Sequence, residues 1–202
     1  MARPIAKDHR EKRSAILKQA AVYFADHGYD RASVNGVAGA CGISKSLIYH
    51  YYDSKQAILF DLLDRYTLRL LGLIGETEAV AQRRNLDERA ALHELVRRFV
   101  QEYETSATRH VALVNQTQFL SDDQRALIVG RQRDVVAAFT RFIKRAYPER
   151  INARNQTALT MMLFGMINWT FTWLRPQGPL SYDAFAQEVI DTLENGFHSS
   201  AS

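Results

Sequence analysis

Apolar residues recur along this chain three and four positions apart, and no stretch alternates strictly, so the pattern predicts helices and turns throughout, an all-α protein. A first helix is expected from about Asp8 to His27, burying Ile16, Leu17, Ala20, Ala21 and Phe24 and stopping at Gly28. Residues 1 to about 10 read as a solvated arm in which Arg3, Lys7 and Arg10 outnumber Asp8 and can reach phosphate. A long amphipathic helix is expected to begin at Lys55. Its inward side is Ile58, Leu59, Leu62, Leu63, Tyr66, Leu70 and Leu73, with Asp61, Asp64, Arg65 and Arg69 outside, and a break is expected near Asn85. Further helices are expected over Asp87 to Glu104, over Val111 to Leu120 as a short interrupted segment, and from the Ser121 cap to Tyr147 before Pro148. Asn152 to Leu174 predicts the most apolar helix, and Ser181 to Phe197 the last.

Between the first helix and the long one lies the stretch that gives the rest a purpose, Ser33 to Lys55. Ser33 caps a short helix whose buried face is Val34, Val37, Ala38 and Cys41. Gly42 supplies a residue free to take positive φ, Ile43 plugs the corner, and Ser44 caps a second helix turned inward at Leu47 and Ile48. That leaves Lys45, Ser46, Tyr49 and His50 facing out near a helix N-terminus, with Tyr51 and Lys55 just behind. Free N–H groups and cations favour phosphate, and small residues let a helix enter the major groove, so this face suits DNA. Ser33, Asn35 and Ser44 join the candidate DNA contacts. The competing reading is two short amphipathic helices that do no more than pack together.

From Gly28 to Lys55, GYDRASVNGVAGACGISKSLIYHYYDSK resembles the DNA-binding domain of the TetR family of bacterial repressors. The match lies in the Ser at the first cap, Val-Ala before the turn, Gly-Ile-Ser through it, then Ile-Tyr-His-Tyr-Tyr and Ser-Lys. Cys41 stands where the family usually has Ala, and Tyr52 where Phe is commoner. The resemblance implies a three-helix head over 1–55 and a larger helical ligand-binding and dimerisation domain over 56–202, joined by the shared helix as a mechanical link. It also implies a homodimer through the last two long helices, which presents two reading heads to a near-palindromic double-stranded operator, and a repressor released by a small molecule. A helix apolar nearly all round, such as 159–174, must be covered on every side, either at the centre of its own domain or, the reading favoured here, partly by a second chain.

Charge sharpens the picture. Met1 to Lys55 holds 9 Lys and Arg against 5 Asp and Glu, while 56–202 holds 17 of each, so the whole excess of +4 sits with the proposed reading head. Cys41 is the single cysteine, which removes any disulfide frame or Cys-based metal site, and on an apolar face it reads as a small hydrophobe. No apolar run is long enough to cross a bilayer, so a cytoplasmic protein with no membrane partner is expected, and the Asn-x-Thr triplets at Asn115, Asn155 and Asn168 carry no glycosylation meaning there. Catalytic motifs are missing: no phosphate loop, no G-x-S-x-G elbow, and no second His four positions after His93. Neither an enzyme nor a metal site nor a resident cofactor is therefore expected. A purely protein-binding helical adaptor would leave the charge segregation without a reason.

For the effector, aromatic and polar residues mix in segments that should be buried: Tyr66, Phe99, Tyr103, Asn115, Gln116, Phe119, Asn168, Trp169 and Trp173. An aromatic stripe at helical spacing is more often core packing than pocket. The segment NWTFTWLRPQGPLS, Asn168 to Ser181, resembles one in TetR-family regulators of fatty acid, steroid or aromatic acid catabolism that answer to acyl-CoA thioesters. That resemblance implies cations for a CoA pyrophosphate, for which Arg131, Arg133 and Arg175 are the candidates. The alternative is an efflux regulator sensing drug-like or aromatic compounds, whose pocket should carry acids, and few acids interrupt these apolar helices.

Overall fold

A computed structural model describes the backbone of residues 3–198 and the side chains of residues 8–195. Among them the chain is all-helical. The elements are α1 (Arg3–His27), α2 (Val34–Ala40), α3 (Lys45–Tyr51), α4 (Lys55–Arg84), α5 (Glu88–Asn115), a 3₁₀ turn (Thr117–Phe119), α6 (Asp122–Ala146), α7 (Gln156–Asn168), α8 (Thr170–Trp173) and α9 (Tyr182–His198). The chain divides into two compact units, residues up to 66 with 108–128, and residues 67–107 with those from 129 onward. The division does not follow a single cut near residue 55, because the core of the first unit takes in Ile58, Leu59, Leu62 and Leu63 of α4 and the end of α5.

In the first unit, α1 packs on α2 and α2 on α3. The expected inward residues of α1 are all buried, and Gly28 ends it at φ 74. The backbone from Arg3 to Arg10 is already helical, so the arm reading fails there; the side chains of Arg3 and Lys7, and residues 1 and 2, lie outside the described residues. Asp61, expected outside, is buried.

In the second unit, Leu70 and Leu73 of α4, Leu92 to Phe99 of α5, Phe139 and Phe142 of α6, Leu163 and Ile167 of α7 and Val189 and Ile190 of α9 supply the core. Phe99 meets Phe139 edge-on at 4.7 Å, and Phe139 meets Phe164 at 4.8 Å, contacts that each add about 1 kcal/mol beyond burial. α4 runs to Arg84 and stops where Asn85 adopts φ 49, the break expected there. Two boundaries differ from expectation. α5 continues from 88 to 115 through a kink at Ser106 (φ −123, ψ 20), and the apolar run at 152–174 is split by Trp169 into α7 and α8. That run is also not covered on all sides. Met161, Met162, Trp169 and Trp173 each stand at least half exposed on the protomer. Phe197 lies outside the described side chains.

Candidate nucleic-acid interface

The helix-turn-helix assembles from local chemistry. Ser33 Oγ accepts the Gly36 N–H at 3.0 Å and Ser44 Oγ accepts the Leu47 N–H at 3.1 Å, each satisfying a donor that the first turn leaves free. Between the two helices Cys41 caps α2, and Gly42 takes φ 65, a left-handed conformation that a side chain would strain. The Ile43 N–H then returns to the Ala38 carbonyl at 3.1 Å, closing the corner. Burial pushes the Cys41 thiol pKa up, which keeps it protonated and unreactive.

On α3, Ile48 alone is fully buried, while Lys45, Ser46, Tyr49 and His50 are exposed along one side. The Lys45 ammonium stands 6.0 Å from the centroid of Tyr49, a loose cation–π pair that leaves both groups in solvent. Asn35 is exposed on α2. Tyr51 is half-buried and its ring lies 4.7 Å from that of His9 on α1, so α1 flanks the reading helix at its C-terminal end; His50 sits 6.3 Å from the same His9 ring. Leu47, expected inward, is 37% exposed and lines a groove with Lys12, Gln19, Ile43 and Tyr51. Two turns of helix have only one narrow buried side, and Ile48 fills it.

Lys55 requires a correction. Its ammonium donates to the carbonyls of Tyr29, Asp30 and Ala32 at 2.9, 3.1 and 3.2 Å and stands 4.6 Å over the Tyr29 ring. All three N–H donors are taken by the loop that follows α1, so the residue closes that loop onto the start of α4 rather than offering its charge to phosphate. The sequence pattern missed Tyr52 and Asp61. Tyr52 ends α3, and its hydroxyl donates to Asp61 Oδ2 at 2.5 Å; burial first, then that bond, pushes the phenol pKa far up and keeps it a donor. Only the presence of Tyr where an apolar ring would serve for packing hinted at it.

The proposed ligand residues scatter. Phe99, Tyr103 and Asn168 come together in the second unit: Tyr103 donates to Asn168 Oδ1 at 3.0 Å and its ring lies 6.2 Å from Phe99, with Phe139 and Phe164 alongside, two residues the sequence reading passed over. Tyr66, Asn115, Gln116 and Phe119 belong to the first unit, where the Tyr66 hydroxyl lies 3.3 Å from His110 Nδ1, Phe119 stacks on Tyr29 at 4.6 Å and Asn115 is exposed. Trp169 and Trp173 are 53% and 51% exposed, so they do not line an enclosed cavity of the protomer; their flanking residues Thr170 and Leu174 take the inward positions instead. Among the described residues no group of three or more His, Cys, Asp or Glu could hold a metal, and no helix is long and apolar enough to cross a membrane.

Residues 16–62 match the family described as bacterial regulatory proteins of the tetR family, and residues 85–197 match the tetracyclin repressor-like C-terminal domain. The chain belongs to the TetR family. It is a DNA-binding transcription regulator, and α2, the turn and α3 all lie within the matched residues 16–62. A crystal structure of a TetR-family transcriptional regulator from Bordetella parapertussis 12822 is 32% identical, superposes with a TM-score of 0.85 and covers 94% of this chain and 97% of its own. The transcriptional repressor KstR2 of Rhodococcus jostii is 24% identical over 93% of this chain and 92% of its own length. AibR, crystallised with isovaleryl coenzyme A and operator DNA, shares the fold at 22% identity, with a TM-score of 0.76 over 90% of this chain and 97% of its own.

Proposed function

We propose that this TetR-family member is a repressor that grips a near-palindromic operator as a homodimer and lets go when an acyl-CoA thioester binds its second unit. The observation that carries the reading is the exposed row Lys45, Ser46, Tyr49 and His50 on a capped helix with one buried residue. A helix with so little committed to packing is built to present its face to something else. Among the contacts, Lys45 and Ser46 at its N-terminal end read base edges, while Tyr49, His50 and the Ser33 and Ser44 hydroxyls serve phosphate.

Dimerisation is supported by Met161, Met162, Trp169 and Trp173, large apolar groups that α7 and α8 leave open and that a second copy would cover. The last two long helices, α7 with its α8 extension and α9, are the expected contact. For the effector, the aromatic set around Phe99, Phe139 and Phe164 with the polar Tyr103–Asn168 pair suits an acyl group with one anchoring point. Arg131, Arg133 and Arg175 in the same unit are the candidate cations for the pyrophosphate; Arg131 is half-buried, 3.4 Å from Thr67 Oγ1, and the other two are exposed. The relation to KstR2, named as a repressor, and to AibR, crystallised with an acyl-CoA, supports both halves of the reading.

The experiment is a binding selection followed by release. The purified protein is used to enrich a duplex from a random-sequence pool, and acetyl-, isovaleryl- and long-chain acyl-CoA are titrated into the complex. Release by one chain class, with a matching rise in melting temperature of the free protein, is the expected result. If every CoA ester leaves the complex intact while an aromatic or cationic drug dissolves it, the protein is an efflux-type sensor.

A further inference from the structure

Asp61 sits on α4 among side chains that the amphipathic pattern sends to solvent, yet it is 8% exposed. Its carboxylate gathers donors from separate parts of the head. Oδ2 accepts Arg13 Nε of α1 at 2.8 Å and the Tyr52 hydroxyl at 2.5 Å, and Oδ1 accepts Arg65 Nε of α4 at 2.9 Å. Arg13 Nε also lies 3.3 Å from the Tyr52 oxygen, and its guanidinium stands 5.6 Å from that ring's centroid.

Tyr52 is the residue at which α3 stops: its N–H bonds the Ile48 carbonyl at 2.9 Å and its backbone turns extended, at φ −148 and ψ 122. Apolar packing alone would seat the ring without fixing its rotation. A charge-assisted bond to a carboxylate that is itself held on two sides does fix it, because such bonds are short and directional. The lever matters because α3 spans only seven residues, about 10 Å at the helical rise per residue. A tilt that moves its C-terminal end by about 1 Å moves the other end by as much, enough to break a hydrogen bond to a base edge.

We propose that Asp61 is a positioning residue for DNA reading: held by Arg13 and Arg65 and bonded to Tyr52, it sets the angle at which α3 offers Lys45, Ser46, Tyr49 and His50. It touches no DNA and acts through Tyr52. The inference rests on the reading role given to α3 above. Charge adds a second signature. Asp61 offsets one of two guanidiniums whose side chains are 39% and 40% exposed, so losing its charge frees a cation near the head without removing any phosphate contact.

The test compares the duplex enriched by the wild-type protein with a scrambled duplex of the same length. Asp61→Asn is expected to lower the preference for the enriched duplex about tenfold while leaving affinity for the scrambled one equal or higher. Tyr52→Phe, which removes a single oxygen, is expected to lower the preference about threefold, and the double variant to lose less than the two single losses combined, since the asparagine, with one acceptor oxygen and no charge, already weakens the bond that Tyr52→Phe removes. A purely structural role would reduce the folded fraction and so weaken both duplexes together. Wild-type preference in both single variants, whatever their melting temperatures, overturns the proposal. Should Asp61→Asn fail to fold, Tyr52→Phe decides alone, with an unchanged preference again overturning it. If the wild-type protein enriches no duplex, the reading role of α3 fails first and takes the Asp61 role with it.

Discussion

Replacing Lys55 by Met separates two jobs that a lysine at the edge of a DNA-binding head could hold. The substitution keeps the aliphatic stem and deletes the ammonium that binds the Tyr29, Asp30 and Ala32 carbonyls at 2.9–3.2 Å and stands over the Tyr29 ring. A hydrogen bond to a charged group contributes about 1.5–3 kcal/mol taken singly. The three here share one cation and its desolvation, and Asp30 and its carbonyl are at the surface, so the sum is discounted to about 2 kcal/mol. For a chain of this size that loss lowers the melting temperature by about 4–8 °C. The assay pairs a thermal melt with operator titrations at several salt concentrations well below the melt. A lower melting temperature with an unchanged slope of log affinity against log salt is expected. An unchanged melt with a slope shallower by about one ion would mean that Lys55 meets phosphate after all, and that the loop carbonyls only hold it in the absence of DNA.

Two further predictions concern the packing of each unit. Burial lowers the pKa of His93 below its ordinary 6.5, against the opposing pull of Glu194, whose Oε1 lies 3.1 Å from Nε2, and of Asp87, with Arg97 lowering it further. The unfolded chain therefore binds the proton more readily, so stability is complete above about pH 6.5 and falls as the pH drops below it, by at most about 1.4 kcal/mol per pH unit. Urea titrations from pH 7.5 to 5 should show this slope reduced in His93→Gln; identical slopes would remove His93 as the cause. In the head, a Cβ on Gly36 would fall 2.5 Å from Cζ of Tyr23, a ring already stacked on His27 at 4.2 Å. The ring end is half-exposed and can swing aside, and alanine favours the helix by about 1 kcal/mol, so Gly36→Ala is expected to stay within about 1 kcal/mol of neutral while breaking the Tyr23–His27 stack; a larger cost that persists in a Tyr23→Ala background would place the conflict elsewhere.

What could be read from the sequence was what short-range chemistry decides. Ser33, Gly42 and Ser44 set the caps and the turn within a few residues of the donors they satisfy, and the structure places all three as expected. The inward stripe of α4 was equally legible, because helical spacing says which side faces in. Spacing does not say which partner a charge will find. Asp61 and Lys55 read as surface groups because Arg13 lies 48 positions from the first and Tyr29 26 from the second. The Ser106 kink had no Pro or Gly to announce it, and the helix merges two segments that pattern alone kept apart. Trp169 and Trp173 were expected inside since hydrophobicity demands cover without saying whether the same protomer provides it.

Because α3 has only two turns and one buried side chain, it cannot nucleate in isolation, and a synthetic peptide of its sequence would be an unstructured coil blind to any base. Its content is nonetheless portable in another form. Grafted onto the matching helix of a related regulator whose own head holds that helix at the same angle, Lys45 and Ser46 are expected to carry their base preference to the new host, with Tyr49 and His50 supplying only its grip.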